Sequence, residues 1–285
     1  MTCTRVITYL KMIKFSHSVF ALPFAFSSAI LAADGLPETK KIVWITAAMV
    51  AARSAAMGMN RVVDRKIDAQ NPRTKNREIP AGVISAAEAT VFVVLSSVVF
   101  GVAAYMLNPL CLKLSPVALS VIFLYSYTKR FTWGCHIVLG VAIALAPLGA
   151  WIAIRGTVSW EAAALPVAVV FWLAGFDILY ALADIDFDKS YGLYSIPQRF
   201  GIRTSLYIAR GFHLLTWVLL IVSGVVFHLG VVYYIGMAIV AMLLIYEHNL
   251  VRPGDLSKLD MAFFNMNGYI SVTVLAFIAL DKYFK

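Results

Sequence analysis

Charged residues are scarce in this chain. Only 14% of its 285 residues are Asp, Glu, Lys or Arg, whereas 61% are hydrophobic. Soluble domains carry about 25% charged residues and about 45–50% apolar ones. This scarcity excludes an ordinary soluble protein and indicates a chain that is surrounded by lipid.

Cysteine and histidine are also few. The three cysteines, Cys3, Cys111 and Cys135, form no C-x-x-C pair, and the five histidines show no spacing typical of metal ligands. We therefore expect the cysteines only to pack, and we expect no metal site built from thiolate or imidazole groups. The chain also lacks a P-loop and a G-x-G-x-x-G segment, the usual nucleotide-binding fingerprints.

Long apolar stretches are abundant instead. A helix needs about 20 apolar residues to cross about 30 Å of hydrocarbon, and the connections between these stretches are too short to form a soluble domain. The sequence therefore predicts an all-α polytopic membrane protein with nine transmembrane helices. The predicted spans are 15–33, 42–60, 84–107, 110–128, 135–154, 161–183, 205–229, 231–248 and 261–280.

The basic residues give the chain a net charge of +9, but they do not form a tail or stripe typical of nucleic-acid binding. They cluster before the first span and after the second, fourth, sixth and eighth spans, which is one side of the membrane if the spans alternate. Basic loops stay on the cytoplasmic side of membranes. We therefore expect a multi-pass protein of the cytoplasmic (inner) membrane, with its amino terminus and its even-numbered loops in the cytoplasm.

The second span runs into a charged segment, NRVVDRKIDAQNPRTKNREIP, at positions 60–80. Asn60, Asp64 and Asp68 follow one another at i, i+4 and i+8, so they share one face if the helix continues past Met59. A basic stretch follows the three polar residues. The pattern places acids and bases together at the cytoplasmic end of this helix.

A second acidic segment, DILYALADIDFDKSYGLYSIPQRFG, begins at Asp177 near the end of the sixth span. Tyr180, Asp184 and Asp188 follow it at i+3, i+7 and i+11 on the same helical face, whereas Asp186 points elsewhere. Because an even number of crossings separates the two segments, both lie on the same side of the membrane. The similarity indicates an internal pseudo-repeat of spans 1–4 and 5–8, followed by span 9.

Two interpretations of the acidic segments compete. One is a solvated helix end, balanced by its own Arg and Lys residues. The other is a metal site, because ionisable groups at membrane depth are costly and normally face a cavity or a partner. Oxygen ligands suit a hard cation such as Mg²⁺, which takes few carboxylates together with phosphate oxygens, and Arg and Lys hold the remaining oxygens. A diphosphate bound at a membrane helix end most naturally carries a lipid tail.

Together with YSYTKR at 125–130, the two segments resemble the signature motifs of the UbiA superfamily of intramembrane aromatic prenyltransferases, most closely its 4-hydroxybenzoate polyprenyltransferase branch. The resemblance covers essentially the whole chain. It implies one domain, 1–285, whose helices surround a central cavity with a cytoplasmic-side active site. It also implies Mg²⁺-dependent transfer of a polyprenyl group from its diphosphate to the ring of an aromatic acid, in ubiquinone or menaquinone biosynthesis.

The family motifs also imply roles for individual positions. One departure is Arg61, which stands where many members carry an acid. The resemblance implies metal binding and catalysis by Asp64, Asp68, Asp184 and Asp188, with Asn60 as a metal and substrate ligand. It implies diphosphate contacts by Arg77 and Lys129 and a substrate-binding cavity arginine, Arg53. Further catalytic positions are implied at Tyr125, Asp177 and Tyr180.

The reaction that the resemblance implies begins with departure of the diphosphate. The allylic carbon becomes cation-like, aromatic faces stabilise it in a dry cavity, and the electron-rich ring attacks. Aromatic candidates are Tyr125, Tyr180, Phe176 and Trp172, although the last two equally suit packing against lipid or core. The sequence leaves open which base takes the ring proton.

Arg53 lies seven residues before Asn60, so it shares the same face about 10 Å deeper in the membrane. A buried guanidinium needs an anionic partner. One candidate is an internal acid such as Asp177. The other is the carboxylate of the aromatic acceptor, which an arginine can bind with two hydrogen bonds.

Two alternative functions stay open. A dihydroxynaphthoate of a menaquinone route is also a ring carboxylate with a phenolic hydroxyl, so patterning does not separate it from 4-hydroxybenzoate. An ion-coupled transporter belongs to another class, since intramembrane Asp and Arg also mark ion pathways, but it gives no role to two acid-plus-base clusters. The expected partners are a polyprenyl diphosphate, an aromatic acid and membrane lipid, without nucleic acid. Prenyl chain length and oligomeric state are not determined by the sequence.

Overall fold

The computed structural model describes residues 3–14, 18–259 and 261–284, and in these ranges the regular secondary structure is helical apart from one isolated bridge between Arg252 and Asp255. The helices are α1 (Cys3–Met12), α2 (Ser18–Ala33), α3 (Thr39–Gln70), α4 (Ala86–Leu107), α5 (Pro109–Thr128), α6 (Cys135–Arg155), α7 (Ala164–Ala181), α8 (Ile185–Tyr191), α9 (Ile196–Val226), α10 (Val231–Leu250) and α11 (Asn267–Tyr283). Short 3₁₀ turns lie at Trp160–Ala163 and Leu182–Asp184, and a π-helical turn lies at Met261–Met266.

Eight helical segments in the described ranges are long and apolar enough to cross a membrane. They are Thr39–Gln70, Ala86–Leu107, Pro109–Thr128, Cys135–Arg155, Trp160–Tyr191, Ile196–Val226, Val231–Leu250 and Phe264–Tyr283. A further apolar helix, Ala21–Ala33, is shorter, and residues 15–17 of the span predicted there lie outside the described residues. The prediction of an all-α polytopic membrane protein is confirmed, and the count of nine depends on this shorter helix.

Local sequence signals start three of the helices. Ser85 and Glu88 form a reciprocal capping box at the start of α4, in which each side chain accepts from the backbone N–H of the other residue. Asn108 caps α5, which begins with a proline, and Ser195 caps α9 by accepting from the N–H of Gln198. These caps satisfy backbone N–H groups that lipid does not satisfy.

The outer surface of α4 is apolar. Val91, Leu95, Val98 and Val102 recur at helical spacing, and all four are exposed. On a soluble protein such a stripe indicates a docking face. On a helix that spans hydrocarbon such a stripe suits contact with lipid.

α7 forms the centre of the bundle. In the span that contains α7, 67% of the apolar 18-residue stretch is buried inside the protein, more than in any other described span. Trp172 is fully buried, and its ring lies 4.8 Å from that of Phe24 and 4.9 Å from that of Phe176. Gly140 of α6 permits close approach to α7, since a Cβ there would lie 2.3 Å from the carbonyl oxygen of Val170. This contact brings the start of α6 against the polar end of α7.

The two acidic segments differ in backbone. α3 continues past Met59 to Gln70, as predicted, so its three polar residues share one face. The second segment is not one continuous α-helix, because α7 ends at Ala181 and the 3₁₀ turn separates it from α8. The helical phase therefore changes before Asp188. The C-termini of α3, α5 and α7 lie at one end of the bundle, and we refer to this end as the acidic end.

Candidate active site

A cavity of about 440 Å³ lies among α3, α4, α5, α6 and α7. Its wall is charged at the acidic end and mainly apolar farther in, down to Leu107 on α4 and Ile152 on α6, near the opposite ends of those helices. The predicted site residues that line it are Arg53, Asn60, Asp64, Asp68, Arg77, Tyr125, Lys129, Asp177, Tyr180 and Asp184. Among the predicted site residues only Asp188 is absent from the described wall, because it is fully buried behind Lys129.

Every carboxylate predicted to hold metal is paired with a basic side chain at the acidic end. Two of the bases, Arg77 and Lys129, are predicted diphosphate contacts, whereas the sequence prediction misses Arg73 and Arg130. The pairs are Asp64 with Arg130 at 2.8 Å, Asp68 with Arg77 at 2.7 Å, Asp188 with Lys129 at 2.8 Å, and Asp184 with Arg73. Four acids and four bases therefore form one compact, nearly neutral cluster.

The loop after α3 joins the two acidic segments. Asn71 donates to Asp184 at 3.0 Å, and Arg73 donates to the same carboxylate and to the hydroxyl of Tyr180 at 2.6 Å. The Arg73 guanidinium also lies over the Tyr180 ring, 4.7 Å from its centroid. Burial lowers the pKa of Arg73, but the hydrogen bond and charge of Asp184 outweigh burial and hold that pKa above its ordinary value. Arg73 is therefore a permanent cation at the acidic end.

Lys129 follows α5 and faces the second acidic segment. Burial lowers the pKa of this ammonium, but the ion pair with Asp188 outweighs burial, so the pKa lies above its usual value. The backbone carbonyl of Lys129 also accepts from the N–H of Tyr194, which fixes the loop. Lys129 thus stays protonated and places a positive charge in the cavity wall.

The donor set fits a hard cation that also takes oxygens from a bound anion. Asp68 Oδ2 is buried and has no hydrogen-bond partner in the described residues, and Asn60 donates to Asp64 at 2.8 Å. No group of three or more His, Cys, Asp or Glu side chains in the described ranges converges closely enough to hold a metal alone. Each carboxylate faces a base instead. A cation that binds there would compete with these bases for the carboxylate oxygens.

The aromatic candidates occupy different surroundings. Tyr125, Tyr180 and Phe176 line the cavity. Trp172 lies in the core beneath Phe176, and its indole Nε1 has no hydrogen-bond partner among the described residues. Of the two aromatic residues that the sequence leaves undecided, Phe176 therefore contributes to the cavity wall and Trp172 contributes to packing.

Arg53 lines the cavity deeper than the charged cluster. Its Nε is buried and has no hydrogen-bond partner within the described ranges. Asp177, one of its two predicted partners, is instead 2.7 Å from Nδ1 of His136. In the part of the chain that the structure describes, Arg53 forms no ion pair with a carboxylate, which leaves a cation directed into the cavity.

Two further polar residues line the cavity, and sequence reasoning predicts a contact for neither of them. His136, at the start of α6, bonds to Asp177 and accepts from the N–H of Ile196 at 3.2 Å. Arg61 is buried and donates from Nε to the carbonyl of Met12 at 3.2 Å, which ties α1 to α3. The contacts with Asp177, Ile196 and Met12 have no local sequence signal, because these partners are distant along the chain.

Comparisons with known proteins agree with this geometry. The UbiA prenyltransferase family matches residues 21–269. A protein of Vibrio cholerae named 4-hydroxybenzoate octaprenyltransferase is 31% identical over 284 residues, which cover 99% of each chain. The apo structure of a UbiA homologue from Aeropyrum pernix superposes with a TM-score of 0.85 at 31% identity, and the match covers 93% of this chain and 98% of that one.

A more distant solved structure shares the same fold. A UbiA homologue from Archaeoglobus fulgidus, solved with DMAPP and Mg²⁺, superposes with a TM-score of 0.71 at 18% identity and covers 97% of this chain and 99% of its own. The matched family region contains both acidic segments and all of the described cavity wall except Lys14. The chain belongs to the UbiA prenyltransferase family and is a membrane-embedded prenyltransferase.

Proposed function

We propose that the protein transfers a polyprenyl group from polyprenyl diphosphate to the ring of 4-hydroxybenzoate, with Mg²⁺, in ubiquinone biosynthesis. The observation that carries the proposal is the cluster of four acid–base pairs at one end of a long apolar cavity. The cluster suits a metal-bound diphosphate, and the apolar interior suits a prenyl chain. The name of the Vibrio cholerae relative supports the acceptor.

The paired cluster suggests how the diphosphate binds. Asn60, Asp64, Asp68, Asp184 and Asp188 would hold Mg²⁺, which supplies charge neutralisation of the leaving diphosphate. Arg77 and Lys129, together with Arg73 and Arg130, would then donate to diphosphate oxygens. With metal and diphosphate bound, the carboxylates would face the metal and the bases would face the phosphate. No charge is stranded in this arrangement.

The cavity wall beyond the cluster serves the carbon chemistry. Tyr125, Tyr180 and Phe176 present aromatic faces to the cation-like allylic carbon. Apolar side chains exclude water, which would otherwise capture that carbon. Arg53 holds the carboxylate of the acceptor, so the ring lies between the guanidinium and the diphosphate. The acid–base clusters have no role in the alternative of an ion-coupled transporter.

The basic loops support an orientation. Arg73, Arg77, Lys129 and Arg130 all lie at the acidic end, and basic loops stay in the cytoplasm. We therefore infer an inner-membrane protein whose diphosphate site opens to the cytoplasm. A cysteine placed at exposed Lys75 should react with an impermeant maleimide only after spheroplasts are lysed.

The function is tested by incubating membranes that contain the protein with a labelled polyprenyl diphosphate, Mg²⁺ and a panel of aromatic acids. We expect a product whose mass equals that of 4-hydroxybenzoate plus the prenyl group, and no product from host membranes that lack the protein. A product from dihydroxynaphthoate alone would move the protein to a menaquinone route. Absence of any prenylated aromatic acid would refute the proposal.

A further inference from the structure

Asp177 differs from the other carboxylates of the cavity wall. Four carboxylates line the cavity in the described chain, and three of them form ion pairs with arginine. Asp177 instead lies against a histidine, with its Oδ2 at 2.7 Å from Nδ1 of His136. Its Oδ1 forms no hydrogen bond or ion pair with a described residue, and 25% of the side chain is exposed. Asp177 thus keeps one oxygen available to a cavity ligand.

The hydrogen bonds of His136 determine where its proton lies. The backbone N–H of Ile196, the first residue of α9, donates to Nε2 at 3.2 Å, so Nε2 carries a lone pair. A neutral imidazole then carries its proton on Nδ1 and donates it to Asp177. The N–H at a helix start has no partner within its helix. That N–H therefore holds His136 in one tautomer, and His136 holds Asp177.

Asp177 also lies where an acceptor ring would react. It lies inside α7, before that helix ends at Ala181, whereas Asp184 lies in the 3₁₀ turn beyond that end, so Asp177 lies on the apolar side of the charged cluster. Tyr125, Asp177 and Arg53 all line this cavity. A ring whose carboxylate is held by Arg53 would present its edge to Asp177.

We propose that Asp177 is the base that takes the ring proton of the acceptor and that His136 is the residue that positions it. This inference rests on the proposed function. The C–O bond of the prenyl diphosphate breaks, and its electron pair leaves with the diphosphate. A ring carbon then bonds to the prenyl carbon. The C–H bond at that ring carbon breaks last, its electrons restore the aromatic ring, and its proton goes to Oδ1 of Asp177.

The test compares turnover of 4-hydroxybenzoate and ring-deuterated 4-hydroxybenzoate. If Asp177 removes the proton rapidly in the wild type, the two acceptors should react at nearly equal rates. In Asp177→Asn, we expect kcat to fall about 100-fold or more, with an unchanged KM for prenyl diphosphate. The deuterated acceptor should then be distinctly slower, because proton removal limits the rate. Asp186→Asn, which changes an exposed acid outside the cavity, should behave like the wild type.

Two substitutions of His136 separate positioning from folding. The amide of His136→Asn can donate to Asp177 from near the position of Nδ1, whereas His136→Gln can accept from Ile196 from near the position of Nε2. We expect His136→Asn to keep most of kcat and His136→Gln to lose on the order of tenfold and to show the isotope effect. Thermal unfolding in detergent shows whether either variant is merely less stable.

Three outcomes decide the inference. Equal rates for the two acceptors in a slowed Asp177→Asn variant would mean that another group takes the proton. Equal kcat losses in both His136 variants that follow their thermal stability would make His136 only a structural tie. If the wild type forms no prenylated 4-hydroxybenzoate at all, the proposed function fails first and this inference fails with it.

Discussion

Removal of the Arg53 guanidinium should weaken binding of the acceptor without weakening the fold. Arg53→Met keeps the apolar stem and deletes the charge. In the described structure Arg53 forms no ion pair, and its Nε has no hydrogen-bond partner. The substitution therefore removes no internal ion pair, and it relieves the cost of a buried cation.

The expected rise in KM follows from the hydrogen bonds between Arg53 and the acceptor carboxylate that the substitution would remove. A hydrogen bond to a charged group contributes about 1.5–3 kcal/mol, and each 1.4 kcal/mol is about tenfold in affinity. We therefore expect the KM for 4-hydroxybenzoate to rise about 10- to 100-fold while the KM for prenyl diphosphate stays unchanged. Arg53→Lys should recover only part of this, because a point charge does not replace the planar fork.

The assay measures initial rates with 4-hydroxybenzoate and with its uncharged amide. The wild type should prefer the acid, and Arg53→Met should lose that preference. Arg155→Met is a matched control, because Arg155 is exposed at the opposite end of α6 and contacts the Trp151 ring. An unchanged preference for the acid, combined with a lower unfolding temperature, would show that Arg53 supports the fold and that the acceptor is held elsewhere.

Four further expectations follow from the charged cluster and from the opposite end of the bundle. Asp68→Ala and Asp184→Ala should each abolish Mg²⁺-dependent turnover, whereas Asp186→Ala should retain it; a dead Asp186 variant beside a live Asp184 variant would contradict the assignment of ligands. Lys129→Ala should raise the KM for prenyl diphosphate far more than that for the acceptor, and the opposite ranking of the two KM values would reverse its role. Because the pKa of Lys129 is raised, its charge is complete below the ordinary lysine pKa of about 10.4 and is lost only above that pH. The KM for prenyl diphosphate should therefore stay constant from about pH 7 to 9. A rise of this KM within that pH range would contradict the raised pKa. Lys41→Met should lower stability by about 1–3 kcal/mol, because this ammonium caps carbonyls at the ends of α4 and α6 at 2.7 and 3.0 Å; an unaltered denaturation midpoint would exclude that cap.

Much of the architecture follows from local pattern. The length of each apolar stretch predicts the spans, because every helix has to cross the same thickness of hydrocarbon. The i, i+4, i+8 spacing of Asn60, Asp64 and Asp68 predicts a shared face, and α3 provides it because the helix continues without interruption. The pseudo-repeat of spans 1–4 and 5–8 stays a prediction.

Other features of the site depend on contacts that the local pattern does not contain. Arg73 and Arg130 were indistinguishable from neighbouring bases until the fold set them against carboxylates 111 and 66 residues away. His136 has no metal-ligand spacing, and its contact with Asp177 arises because α6 packs against α7. The 3₁₀ turn at Leu182–Asp184 interrupts the helix that the regular spacing of the acids predicts. The spacing of the acids does not show where an α-helix changes to a 3₁₀ turn.

The central claim, that metal and diphosphate bind together by exchanging the acid–base pairs, is tested most directly by a binding measurement. Purified protein would be titrated with an unreactive prenyl thiolodiphosphate, in Mg²⁺ and in a chelator, by isothermal calorimetry. We predict tight binding with Mg²⁺, much weaker binding in the chelator, and loss of the Mg²⁺ effect in Asp184→Ala. Equally tight binding in the chelator would contradict the account, because the bases would then hold the diphosphate without any carboxylate-bound metal.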